Sequence, residues 1–164
     1  MKKVLLISLL LNLATMAAFA QSRAIGVRLS NVLEVSYQFD AAKPNFWELD
    51  GGLLNMGKGA QASIIHNWII GSPNWTSQGE WNWYLGVGGL MGLTWDNTYN
   101  DNGNLGCYMG VAGMFGLEYT FDFPLELSAD VRPFVGPYIN DGVSFNTRVL
   151  ANSFFPTVSA RYRF

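Results

Sequence analysis

The stretch WNWYLGVGGLMGLTW, residues 81–95, decides how this chain is read. Trp81, Trp83, Leu85, Val87, Met91, Leu93 and Trp95 share one parity, and Asn82, Tyr84, Gly86, Gly88, Leu90, Gly92 and Thr94 share the other. A period of two is the signature of a β-strand. The run GVGGLMG looks superficially like a dinucleotide fingerprint, but Met91 stands where the third glycine belongs and no helix follows. It reads as a strand with one bulky face and one small face.

The same alternation recurs. In LEVSYQFD, Leu33, Val35, Tyr37 and Phe39 oppose Glu34, Ser36, Gln38 and Asp40. In GLEYTFDF, Leu117, Tyr119 and Phe121 oppose Glu118, Thr120 and Asp122. In PLELSADVRP, Leu125, Leu127, Ala129 and Val131 oppose Glu126, Ser128, Asp130 and Arg132. Eight strands are expected, at 24–30, 32–40, 46–54, 60–70, 81–95, 106–121, 124–135 and 155–164. In the fourth, AQASIIHNWII, both faces are apolar in the middle, so its parity stays open. Turn-rich segments separate the strands: AAKPN, NMGKG, GSPNWTSQG, DNTYNDNGN, the FDFP corner and the long GPYINDGVSFNTRVLANS.

Alternation alone does not say which face is buried. An eight-stranded barrel is only wide enough inside for side chains to fill it. Gly86, Gly88, Gly92, Gly110, Ala112 and Gly116 suit that space, whereas Trp81, Trp83, Met91, Phe115 and Tyr119 would overfill it. The bulky face therefore belongs outside. Trp and Tyr near strand ends match the aromatic girdles of membrane barrels.

The leader MKKVLLISLLLNLATMAAFAQS has Lys2 and Lys3, an apolar run and the small-residue pattern Ala18-Phe19-Ala20. It reads as a secretory signal over residues 1–20, leaving a single barrel domain over 21–164. Without the two lysines the formal charge falls from −2 to −4, which gives a nucleic-acid partner no electrostatic support. Aromatics make up 15% and charged residues only 13%, with 18 glycines. Beyond the leader no run approaches the roughly 18 apolar residues of a membrane helix. Cys107 is the lone cysteine and excludes an internal disulfide. Eight strands of roughly 9–11 residues use about 80 positions and leave about 64 for seven connections.

The last stretch, TVSARYRF (157–164), alternates as well. Val158, Ala160, Tyr162 and Phe164 would face lipid, and Arg161 and Arg163 would point inward, where an unpaired charge is not tolerated. A lumen network is expected of Arg28, Arg132, Arg161 and Arg163 with Glu34, Glu118, Glu126 and Asp130, forming a plug rather than a pore.

The signal-like leader, the eight amphipathic strands and the terminal aromatic together resemble small outer-membrane β-barrels of the OmpA/OmpX type. The ending VSARYRF resembles the signal by which the barrel-assembly machinery recognises its clients, and FGLEYTFDFPLELSADVRP resembles a stretch common in such barrels. The resemblance implies an all-β, up-and-down antiparallel barrel, monomeric, in a bacterial outer membrane among its lipids and lipopolysaccharide.

Chemistry is sparse. Glu126 and Asp130 share a face but lie roughly 13 Å apart along a strand, too far for a glycosidase pair. His66 is the lone histidine, and some barrels of this size act on lipid A. The deacylase-like arrangement has a Ser two residues after the His, where this chain has Trp68. The acidic loop around Asp96 and Asp101 has no calcium ligand register, so no metal and no cofactor are expected. Asn74-Trp75-Thr76 is a glycosylation sequon only in form, and Cys107 reads as a small hydrophobe.

Surface contact is expected of the outer loops 96–105 and 136–154, through Tyr99, Asn100, Asp101, Tyr138, Asn140, Asp141 and Phe145. Their ligand is not specified by the sequence. Three alternatives stay open. A lipid A-modifying enzyme needs a polar pair beside His66, a small pore needs an incomplete plug, and a soluble periplasmic lipocalin-like carrier needs the apolar parity inside.

Overall fold

The computed structural model describes residues 23–41, 44–96, 105–140, 142–144 and 154–164. Their strands are β1 (Arg23–Leu29), β2 (Val32–Phe39), β3 (Asn45–Leu54), β4 (Gly59–Gly71), β5 (Glu80–Thr94) and β6 (Gly106–Thr120). They continue with β7 (Leu125–Val131), the two-residue β8 (Phe134–Val135), β9 (Tyr138–Ile139) and β10 (Val143–Ser144), and β11 (Thr157–Arg163). Each of the first six pairs antiparallel with the next, and β6 pairs with β7, β7 with β11, and β11 with β1. The ring is closed, so no long sheet edge is left unpaired.

β7, β8 and β9 form one stave in constant register: Val131, Val135 and Ile139 face Phe115, Val111 and Cys107. The expected strand 124–135 is therefore interrupted at Pro133 and then runs on beyond its expected end. Pro133 O accepts from Gly113 N at 2.8 Å, but proline has no N–H to return the bond. Pro137 breaks the ladder in the same way. Counting β7–β8–β9 once and setting aside the two-residue β10, which pairs only with β9, gives eight staves.

A path perpendicular to the strands visits Leu125, Tyr162, Ile25, Tyr37, Leu49, Ile64, Gly89, Val111 and Val135. It returns to its starting stave ten residues higher, from Leu125 to Val135. With about 3.3 Å per residue and about 4.8 Å between strands, that stagger tilts the strands by about 40°. The end holding Arg23 and Arg163 is called the base, and the end holding Leu29 and Val32 the rim.

Apolar side chains point outward along every long stave, with Val35, Met91 and Val111 each about 60% exposed. β4 acquires a definite parity, with Ser63, Ile65 and Asn67 inside and Ile64, Trp68 and Ile70 outside. The interior is less uniformly small and polar than expected. Phe46, Ile65, Tyr84, Leu90, Tyr108, Met114, Phe134 and Tyr138 are also buried there. The inward glycines make room for three of the rings. A Cβ on Gly116 would strike the Tyr84 ring, one on Gly92 the Tyr108 ring, and one on Gly106 the Tyr138 hydroxyl.

Candidate functional site: a charged plug in the lumen

Arg28 projects inward from β1 with no exposed surface and meets four carboxylates. One Nη donates to Glu48 and the other to Asp130 Oδ1 at 2.6 Å. Its Nε lies 3.5 Å from Glu34 and 3.8 Å from Asp50. Toward the rim, Arg132 forks onto both oxygens of Glu34 at 2.7 Å and donates to Asp50 Oδ2 at 2.9 Å and Ser63 Oγ at 2.7 Å. Toward the base, Arg161 donates to Glu48 at 2.6 Å, Glu126 at 3.1 Å, Ser128 Oγ at 2.8 Å and Ser36 Oγ at 3.1 Å. Arg163 lies lowest, 3.5 Å from Glu126, and donates to Thr120 Oγ1 and to the Ala41 carbonyl.

Neutral groups tie this column to the wall. Tyr108 donates to Gln61 Oε1 at 3.0 Å, Gln61 Nε2 to Glu34 at 2.8 Å, Gln38 Nε2 to Glu48 at 3.2 Å and Tyr84 to Asp130 at 3.0 Å. Bidentate guanidinium–carboxylate pairs are the geometry that holds buried charge best. Above the column, Val32, Leu54, Leu90, Phe134 and Tyr138 form an apolar layer beneath the rim.

All eight residues expected in the network face the lumen, but their partners differ from the expectation. Glu48 and Asp50 were not foreseen, and they supply two of the four carboxylates around Arg28. The signal for them is the parity of NFWELDGG, where Phe46, Glu48 and Asp50 share a face. A bulky aromatic beside two acids disguises that face as mixed. Glu118 is inside, yet its carboxylate is met by Asn82 Nδ2 at 3.3 Å, and no arginine among the described residues lies within 4.0 Å of it. Glu126 and Asp130 meet different guanidinium groups, Arg161 at 3.1 Å and Arg28 at 2.6 Å.

One loop expectation is corrected. Tyr138 is not a surface residue: it is buried, with its hydroxyl 2.7 Å from Thr94 Oγ1, because β9 prolongs the stave and its parity turns Tyr138 inward. Asn140 is half-buried in the turn between β9 and β10. Tyr99, Asn100, Asp101, Asp141 and Phe145 lie outside the described residues, as does the leader. Val158, Ala160, Tyr162 and Phe164 all face outward, with Tyr162 and Phe164 stacked at 6.4 Å. His66 packs in the outer wall between Trp47 and Trp68, at ring distances of 4.5 and 4.6 Å. Cys107 is half-buried on the outward parity of β6.

No family model and no curated protein matches the chain. Among solved structures, the crystal structure of the N-terminal β-barrel domain of Pseudomonas aeruginosa OprF matches with a TM-score of 0.58 at 12% sequence identity. The match covers 88% of this chain and 96% of that one. Likeness at so low an identity concerns the backbone fold alone. The chain thus has an all-β fold, a closed eight-stranded antiparallel barrel like the N-terminal barrel of OprF.

Proposed function

We propose that this chain is an integral barrel of a bacterial outer membrane, plugged rather than conducting, that acts through envelope integrity and contacts made by its rim loops. The observation that carries the reading is the inversion of polarity. Apolar side chains cover the outside of a closed sheet, while arginines and carboxylates are buried inside it. A water-soluble barrel has the opposite arrangement. Hydrocarbon tolerates such a sheet because closure satisfies every backbone group. The Trp, Tyr and Phe side chains gathered near the base then form the girdle at the periplasmic surface.

In this reading the outward row Val158, Ala160, Tyr162 and Phe164 is presented to the assembly machinery, and outer-membrane lipids and lipopolysaccharide surround the wall. Tyr99, Asn100, Asp101, Asn140, Asp141 and Phe145 carry the surface-contact part of the proposal. The packing of His66 between two indoles favours a structural over a catalytic role for it.

The test is gel migration of the membrane fraction with and without boiling, together with conductance in planar bilayers. A plugged membrane barrel migrates faster unboiled, loses folded fraction on deletion of Phe164, and gives no conductance steps. Free solubility in the periplasm, or stable unitary conductance from the wild type, would overturn the reading.

A further inference from the structure

Among the described residues the rim is lowest where β11, β1 and β2 meet. β7 stops pairing with β11 at Asp130 and Thr157, and β1 stops pairing with β11 at Leu29 and Val158. β8 and β9 carry the neighbouring stave higher, but they pair with β6 and β10 and not with β11. At a tilt of about 40° each residue climbs about 2.5 Å. Asn31, eight positions beyond Arg23 at the base, therefore stands about 20 Å above it. That is below the top of an apolar band roughly 25 Å tall. The low turn is fixed by Ser30 N donating to Val32 O at 3.0 Å and by Asn55 N donating to Asn31 O at 2.8 Å.

Behind this low side lies a cleft with about 430 Å³ of empty space, part of it open to solvent. Val32, Leu54, Leu90 and Phe134 form its buried inner wall, and Phe155, 53% exposed, flanks its opening beside Ser30 and Asn31. Phe134 is braced edge-on by Tyr108 at 5.7 Å. The floor is polar, made by Gln61, Tyr108 and Arg132. Arg132 is the one charged side chain among the described residues that line the cleft, and Glu34 and Asp50 meet it at 2.7 and 2.9 Å. An anion finds that charge already matched, and a cation finds no carboxylate in the lining. An uncharged molecule therefore loses least on entering.

We propose that this cleft binds an uncharged amphiphile of the medium-chain alcohol type, drawn from the outer leaflet beside the low side of the rim. The alkyl chain packs against Val32, Leu90, Phe134 and Phe155, and the hydroxyl reaches the polar floor at Gln61 and Tyr108. The cleft ends on the Arg132 layer, so it holds the molecule without opening the plug. The proposal rests on the membrane reading above, since that reading puts the low rim inside the bilayer.

The test is photolabelling of the full barrel in liposomes with a diazirine-bearing 1-octanol, the labelled positions being mapped by peptide mass spectrometry. Heat-modifiable migration is scored on each sample. Label is expected on Val32, Leu90, Phe134 and Phe155. It should be displaced by 1-octanol, and at least about tenfold less well by octanoate or octylammonium at equal membrane-bound concentration. Leu90→Trp fills the cleft, and Phe155→Glu sets a charge at its opening. Each should cut the label at least about fivefold while the folded form persists, and Phe155→Glu, at an exposed position, carries the test where Leu90→Trp does not fold. Label spread over the outer wall of a heat-modifiable barrel, and not displaced by 1-octanol, would overturn the site and leave the membrane reading standing. Equal displacement by either ion would overturn the uncharged ligand. Loss of heat-modifiable migration in the wild type would overturn the membrane reading, and this proposal with it. A phosphatidylcholine bearing the diazirine on a short acyl chain cannot leave the bilayer, and it should label Phe155. Label confined to Leu33 and Val35 would show the low side closed to the leaflet and overturn that source.

Discussion

Arg28 has no exposed surface and faces Glu34, Glu48, Asp50 and Asp130 at once. A buried ion pair contributes little net stability over an apolar pair of the same shape, yet removing one partner strands the others in low dielectric. Arg28→Met nearly conserves volume and leaves Glu48 and Asp130 each short of a cation. The expected cost is about 3–5 kcal/mol, read as a lower urea midpoint for loss of the heat-modifiable form. Adding Glu48→Gln should recover part of that loss. Legibility at this scale was uneven. The inward arginines could be read from alternation because Tyr162 and Phe164 flank Arg161 and Arg163 with unambiguous parity. Glu48 and Asp50 could not, because Phe46 shares their face and glycines 51 and 52 follow. Tyr138 was misread because GPYIND has the composition of a turn.

At the scale of the element, the β7–β8–β9 stave departs most from expectation. Pro133 and Pro137 would ordinarily end a strand, but each still offers a carbonyl to β6, and the register holds across both. The stave survives because its neighbour supplies the other half of the ladder. Pro133 has outward parity and lies opposite Gly113. Pro133→Val would restore an N–H to the Gly113 carbonyl and put a β-branched side chain on the outer face. The expected gain is about 1 kcal/mol, checked by the same urea midpoint. β4 differs in kind. Its two apolar faces carry no internal signal of direction, and its parity follows from pairing with β3 and β5.

For the whole molecule, the stagger of ten residues has a geometric consequence at the rim. Ile25 of β1 and Gly89 of β5 lie on one perpendicular path, four strands apart, and that path climbs from β1 to β5. Leu29 and Leu93 each stand four residues above it near the tops of their strands, so the β5 side of the wall is about 12 Å taller than the β1 side. The tight turn at Ser30–Asn31 therefore lies low, whereas Met56, on the β3–β4 turn, is wholly exposed. In reconstituted bilayers a Ser30→Cys variant should react with a membrane-impermeant maleimide at least about fivefold more slowly than Met56→Cys. Equal rates would mean that the bilayer follows a level rim.

The amino-acid sequence by itself determined the strand class, seven of the eight staves to within a residue or two at most ends, and the polarity of the wall. These depend on local properties: a period of two, turn residues between the runs, and a bulky face that no eight-stranded lumen holds. Only the tertiary structure decided the parity of β4, the survival of the seventh stave through two prolines, and the partners of each arginine. Those choices depend on contacts far apart in sequence. Arg28 meets Asp130 across 102 positions, and Arg161 meets Glu48 across 113. No local pattern encodes such a meeting. It exists because closing the ring with a ten-residue stagger brings β1, β3, β7 and β11 to one level of the lumen.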